Sequence, residues 1–182
     1  MTYALPEGSN WFDYYTKQSV ASTAQGEWVT ASLTDLEQAV FVRAGSILPI
    51  LLHEDCYALL PCINNDVRLE VYPDANGAAS GGLYLDDGSS LEYSTARDSD
   101  SAWHSFTYAD GTFSTDFDWG NGYGNVPVVT TVIFYGMSAK PTAVKNSNGD
   151  DLTTIYESST ETLYVQLTDN TKSYNVHVVI TV

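Results

Sequence analysis

A chain of 182 residues has room for one or two domains with cores of their own. Its hydrophobic share of 43% and aromatic share of 13% are too large for a chain that stays unfolded. Seven Lys and Arg against 23 Asp and Glu leave a net charge of −16, a field that repels phosphate backbones and anionic lipid and so excludes nucleic acid and membrane surfaces as partners.

Taken in chain order, the signals are those of strands and turns. The segment Met1 to Glu7 lacks the basic and apolar regions of a signal peptide, so export would require a leader removed or lying upstream. A dense aromatic stretch follows, with Trp11, Phe12, Tyr14 and Tyr15. Ser32 to Ala39 is the best helix candidate, but it is too short and weakly periodic to be more than a turn. Ala39 to Arg43 is strand-like and opens the longest apolar run, which reaches Leu52 but is interrupted by Arg43 and Pro49 and is too short to span a bilayer. In Val67 to Tyr72 the residues Val67, Leu69 and Val71 alternate with Arg68, Glu70 and Tyr72, the pattern of a strand with one buried and one solvated face. Gly82 to Leu85, Val126 to Tyr135, Leu163 to Leu167 and Tyr174 to Val182 are further β-rich runs, the last with Val176, Val178 and Ile180 opposed to His177, Val179 and Thr181. Asp and Asn next to Gly punctuate them at Asp74 to Gly77, Asp86 to Gly88, Asp110-Gly111, Asn121-Gly122 and Asn148 to Asp150. Many short strands at this spacing predict an all-β protein of two consecutive antiparallel β-sandwich domains. The small polar segment Ser94 to Ser101 is the expected joint, giving domains over residues 1–97 and 98–182.

Each cluster that offers chemistry also has a plainer reading. Asp86-Asp87-Gly88 pairs two carboxylates that can shift one another's pKa, but after a strand it reads first as a hairpin turn. Asp116, Asp118 and Asn121, and separately Asn148, Asp150 and Asp151, are hard oxygen donors of the kind calcium accepts, yet neither set completes a calcium loop. In Asp118 to Gly124, Trp119 and Tyr123 flank glycines and are candidate sugar-stacking residues, the alternative being a hairpin tip packed on its own sandwich. His53, His104 and His177 are too scattered for a metal site, and no Ser has a partnered base. Cys56 and Cys62 are close enough in sequence to close a disulfide in an oxidising compartment, or are two buried thiols. No cofactor, metal or catalytic residue is assigned. Sparse ion pairing and many hydroxyl side chains suit a secreted or lumenal protein.

Three ordered stretches carry a resemblance. Leu5 to Thr16 (LPEGSNWFDYYT), Phe41 to Pro49 (FVRAGSILP) and Leu83 to Ser90 (LYLDDGSS) together resemble the region after the catalytic barrel in glycoside hydrolase family 31, the α-glucosidase family. Asn64 to Gly77 fits the same template, and beyond about residue 95 the likeness is one of pattern, anchored on Phe106 to Phe113 and the terminal strands. The resemblance implies a proximal and a distal C-terminal β-domain, and a parent that hydrolyses α-glycosidic bonds with retention through two carboxylates on a barrel. That barrel needs about 250 residues and has no counterpart here, and Phe117 to Gly122 is only superficially like the family's nucleophile motif. The chain alone is therefore expected to be non-catalytic and to brace a barrel supplied by a preceding segment or another chain. In the family the proximal domain packs on the barrel, which makes Trp11, Phe12, Tyr14, Tyr15 and Phe41 a candidate docking face, for the barrel or for self-association. The alternatives are a free-standing structural or interaction module that has lost the enzyme, and a carbohydrate-binding module.

Overall fold

The computed structural model describes residues 2–20, 27–30, 38–52, 66–88, 101–120, 124, 126–167 and 176–182. Among them there are strands and turns and no helix. The chain opens with β1 (Thr2–Leu5), β2 (Trp11–Asp13), β3 (Ser19–Val20), β4 (Glu27–Thr30) and β5 (Phe41–Arg43). These make two small antiparallel sheets, β1-β4 and β3-β2-β5. Ten more strands follow: β6 (Ser46–Leu51), β7 (Val67–Tyr72), β8 (Ala79–Asp86), β9 (Ser101–Ala109), β10 (Thr112–Trp119), β11 (Val129–Phe134), β12 (Ala143–Asn146), β13 (Thr153–Glu157), β14 (Thr162–Gln166) and β15 (His177–Thr181).

The ten run β12-β15-β10-β9-β8-β6-β7-β11-β14-β13. The joint between β8 and β6 is one residue pair, Ser46 with Ser80, so the sheet folds over there into two five-stranded layers. Side chains from both layers meet between them: Phe134 of β11 lies tilted against Tyr108 of β9 at 5.0 Å and meets Phe113 of β10 edge-on at 5.9 Å. Leu69, Val71, Val132, Leu163 and Val165 from one layer and Phe106, Phe113, Val178 and Ile180 from the other complete the core, as expected of sandwich strands with alternating inward residues. Among the described strands pairing is antiparallel with two exceptions, the β6–β8 bridge and the β7–β11 ladder from Val67 with Val129 to Val71 with Phe134. Parallel neighbours need a long connection, and β8 to β10 supply it.

The turn Asp110-Gly111 between β9 and β10 has φ of 50° and 73°, the left-handed conformations a two-residue hairpin needs. Gly111 also lies against β15: its carbonyl accepts from the Ile180 amide at 2.7 Å, and a Cβ there would meet Ile180 O at 2.6 Å.

The residues between Ser94 and Asp100 lie outside those described, but the strands on either side, β8 and β9, pair from Ala79 with Tyr108 to Asp86 with Ser101. Sheet and main core thus continue across residue 97. One expectation is corrected: the second face of β7 is not solvated. Glu70 and Tyr72 are 1% and 0% exposed because the β3-β2-β5 sheet covers that face, packing Phe12, Val42 and Ala44 onto Tyr72, Ile133 and Tyr135. The alternation in β15 holds, with Val178 and Ile180 buried and Val179 exposed.

Candidate functional site

The most developed polar site lies under that small sheet. Asp13 ends β2, and its Oδ1 accepts from the amides of Tyr15 and Thr16 at 2.9 and 2.8 Å. The tight turn this fixes places Lys17 at a φ of 63° with its amide donating to Asp13 O. From there the Lys17 ammonium reaches inward and donates to Glu70 Oε2 at 2.9 Å and to the Tyr72 hydroxyl at 3.2 Å. Tyr72 donates to the same Oε2 at 2.6 Å, and Arg68 Nη2 lies 2.8 Å from Oε1. The Lys17 ammonium also stands over the Tyr14 ring, 4.1 Å from its centroid, with the rings of Tyr135 and Tyr72 at 5.6 and 5.9 Å.

Burial pushes the Glu70 carboxyl up, but hydrogen bonds from Tyr72 and Lys17 and the charges of Lys17 and Arg68 outweigh it and hold the group below the usual carboxylate range. Burial first, then the bond to Glu70, raises Tyr72 far above an ordinary phenol, and burial followed by the Glu70 charge raises Tyr135 likewise. A general acid needs a raised pKa and access to substrate. Glu70 is ionised and enclosed, with Oε2 hydrogen-bonded to Lys17 and Tyr72 and Oε1 facing the Arg68 charge, so the arrangement ties the turn after β2 to the centre of the sandwich. Beside it a cleft opens toward the segment after β11. One part, about 380 Å³, is bordered by Phe12, Asp74, Tyr135, Met137 and Glu161, and a neighbour of about 290 Å³ by Lys17, Ser158, Ser159 and Thr160. The Asp74 carboxylate is already engaged: it accepts from the Asn76 and Ala78 amides at 2.8 and 2.9 Å, which lowers its pKa.

The structure separates the residues of the expected docking face. Phe12 does not belong to it: it is 4% exposed and edge-on to Tyr72 at 5.2 Å, because alternation in β2 turns it inward. Trp11 and Phe41 are half-buried on the outer side of the same sheet, Phe41 touching Tyr3 at 6.1 Å. Tyr14 is half-buried over Lys17, and Tyr15 stands 61% exposed. Trp119 ends β10 and stacks on Trp103, whereas Tyr123 lies outside the described residues, as do Cys56 and Cys62. Asp86 forms a turn, its Oδ1 accepting from the Gly88 amide at 2.9 Å. In the Asn148 cluster, Asp150 is bonded to Asn146 and Asp151 pairs with Lys145 at 2.7 Å, so both carboxylates serve a hairpin. Among the described residues no group of three or more His, Cys, Asp or Glu is placed to hold a metal ion. Lys17 and Glu70, the centre of the site, are separated by 53 positions, and nothing in the sequence around either points to the other.

Fold and site define an all-β sandwich chain with an ionic tie between its small sheet and its main layers. No family model matches the chain. An α-glucosidase of Schizosaccharomyces pombe is 28% identical over 156 residues, 85% of this chain and 15% of the relative. Glucoamylase 1 of Schwanniomyces occidentalis is 32% identical over 141 residues, 77% and 14% respectively, and a family 31 glucosidase of S. pombe is 37% identical over 82 residues, 45% and 8%. The glucosidase II alpha subunit superimposes with a TM-score of 0.76 at 17% identity, over all of this chain and 21% of its own. The α-1,4-glucan lyase of Gracilariopsis lemaneiformis superimposes at 0.66 and 18%, over 99% of this chain and 20% of its own. The chain belongs to glycoside hydrolase family 31, as a part of the length of such a protein. It spans about a seventh of the first two curated relatives and about a fifth of those solved chains.

Proposed function

We propose that this chain is the non-catalytic C-terminal β portion of an α-glucosidase-like family 31 hydrolase and that it braces a catalytic barrel carried by a preceding segment or another chain. The observation that carries this reading is the outer side of the β3-β2-β5 sheet, where Trp11 and Phe41 stand on paired strands and Tyr15 is exposed on the turn after β2, while the other side of the same sheet is locked onto the core through Phe12 and Lys17. A sheet fixed on one side and aromatic on the other suits a second body. A docked area of about 800 Å² per partner would make a stable interface.

Two results test it. The purified 182-residue chain should not turn over a chromogenic α-glucoside, and turnover lost on substituting any Asp of this chain would overturn the reading. The isolated chain should self-associate or bind a hydrophobic dye, and Trp11→Ala with Phe41→Ala should abolish both; a concentration-independent monomer that binds no dye would refute a docking face. Residues 1–97 and 98–182 correspond in this reading to the proximal and distal domains of the parent. A secreted or lumenal site is part of it, with Cys56 and Cys62 bridged, which non-reducing peptide mapping of native material decides.

A further inference from the structure

On the side of β8, β9 and β10 turned away from the core, three aromatic side chains occupy directly opposed positions on neighbouring strands. Tyr84 pairs with Trp103, and Trp103 pairs with Trp119. At the usual strand spacing the row crosses the sheet over roughly 10 Å. The indoles of Trp103 and Trp119 are 23° from parallel with centroids 6.0 Å apart, and Tyr84 is 42% exposed.

Two backbone features build this row. A Cβ on Gly82 would lie 2.5 Å from Cζ2 and 2.9 Å from Cε2 of Trp103, so the indole lies over bare backbone that any other residue would fill. The register of β10 shifts between Phe117 and Trp119. Under strict alternation the two would share a face, yet Phe117 packs inward near Leu85 and Ala102 while Trp119 sits opposite Trp103. The bulge re-aims Trp119 into the row.

The surroundings are polar. Ser105 Oγ donates to Asp118 Oδ1 at 3.3 Å, Thr107 and Ser114 hydroxyls are 2.9 Å apart, and Asp116 and Asp118 are exposed. Protein interfaces bury an apolar centre, but the outward positions of β8 to β10 carry no aliphatic side chain larger than Ala109. Aromatic rings edged by hydroxyls and carboxylates match a pyranose, whose C–H face meets the negative π face and whose hydroxyls donate to carboxylates. A net charge of −16 excludes sulfated or phosphorylated glycans. We propose that Tyr84, Trp103 and Trp119 form a binding row for a neutral oligosaccharide, on a different sheet face from the docking surface and independent of the bracing role.

The test is titration of the intact chain with maltoheptaose and, in parallel, a manno-oligosaccharide, followed by tryptophan fluorescence and calorimetry. Saturable binding of one of them is expected, weakened roughly tenfold or more in Trp103→Ala and in Tyr84→Ala, a loss of about 1.4 kcal/mol per decade. Trp28→Ala, on β4 and 74% exposed, should bind as the unaltered chain does. If Trp103→Ala fails to fold, protection of tryptophan in the unaltered chain from N-bromosuccinimide by the sugar replaces it: protection supports the row, and equal modification with and without sugar overturns it. Absence of saturable binding to either sugar, or binding unchanged by Tyr84→Ala and Trp103→Ala, refutes the proposal, as does a protein partner competing for the row while neither sugar binds.

Discussion

Replacing Glu70 by Gln keeps the shape of the side chain and removes the charge on which Lys17, Arg68 and Tyr72 converge. Gln presents an NH2 group to one of the donors that the carboxylate satisfied, so at least one bond is lost and two cations lose their counter-ion. Removing one partner of a buried pair typically costs about 3–5 kcal/mol. Here the cations keep 23% and 33% exposure and can turn to water, which lowers the expected loss to about 2–3 kcal/mol. For a chain of this size that is a fall in Tm of roughly 5–10 °C by differential scanning calorimetry at neutral pH. The gap should also depend on pH. A carboxyl whose folded pKa is depressed stabilises above its unfolded value, near 4.3, and the contribution is lost as pH falls through the lower folded value. The difference between the two proteins should therefore be flat from neutral to about pH 5 and shrink below about pH 4. A Tm change under about 1 °C at neutral pH, or a gap that widens in acid, would show that Glu70 is not the ionised centre of this cluster.

Phe134→Ala removes a fully buried ring held between Tyr108 and Phe113 and should cost about 3–5 kcal/mol, measured by urea denaturation. Gly111→Ala places a methyl 2.6 Å from Ile180 O at a φ of 73° and should cost roughly 2–3 kcal/mol in the same assay; a neutral result would mean β15 can move aside. Asp74→Ala frees the amides of Asn76 and Ala78, with an expected loss of about 1 kcal/mol above pH 5 that disappears as Asp74 of the unaltered chain is protonated in acid. Residues 102–182 expressed alone lack β6, β7 and β8, which leaves Phe106 and Phe134 without half of their cover. The two-domain reading nonetheless expects that fragment to melt cooperatively by circular dichroism, and absence of a cooperative melt would show one core shared across residue 97.

What was legible in the sequence is what short-range pattern encodes. The run Val67 to Tyr72 coincides with β7, the opposed sets in β15 fall on the sides their alternation assigns, and Asp110-Gly111 turns as its composition demands. Glu70 was misplaced for a physical reason: period-two alternation with charged residues on one side describes a half-solvated strand, and only the covering sheet, recruited from residues 11–43, turns that side into an interior. The aromatic row escaped for a related reason. Tyr84, Trp103 and Trp119 come from three strands, and their alignment depends on ladder register and one bulge. Trp119 alone stood out, because it sits in a glycine-rich stretch.

The burial of β7 on both sides also sets the order in which the molecule can be completed. Its parallel neighbour β11 begins 62 residues after β7 does, Val67 lying opposite Val129, and the small N-terminal sheet rests on Tyr72 together with Ile133 and Tyr135. As the chain leaves the ribosome, Phe12, Val42 and Ala44 emerge long before the rings of β11 that cover them. The small sheet must therefore wait, its apolar side open, until most of the sandwich has been made. Long-range closure of this kind folds slowly and leaves unpaired strand edges exposed meanwhile. The acidic charge spread along the chain keeps such waiting intermediates apart.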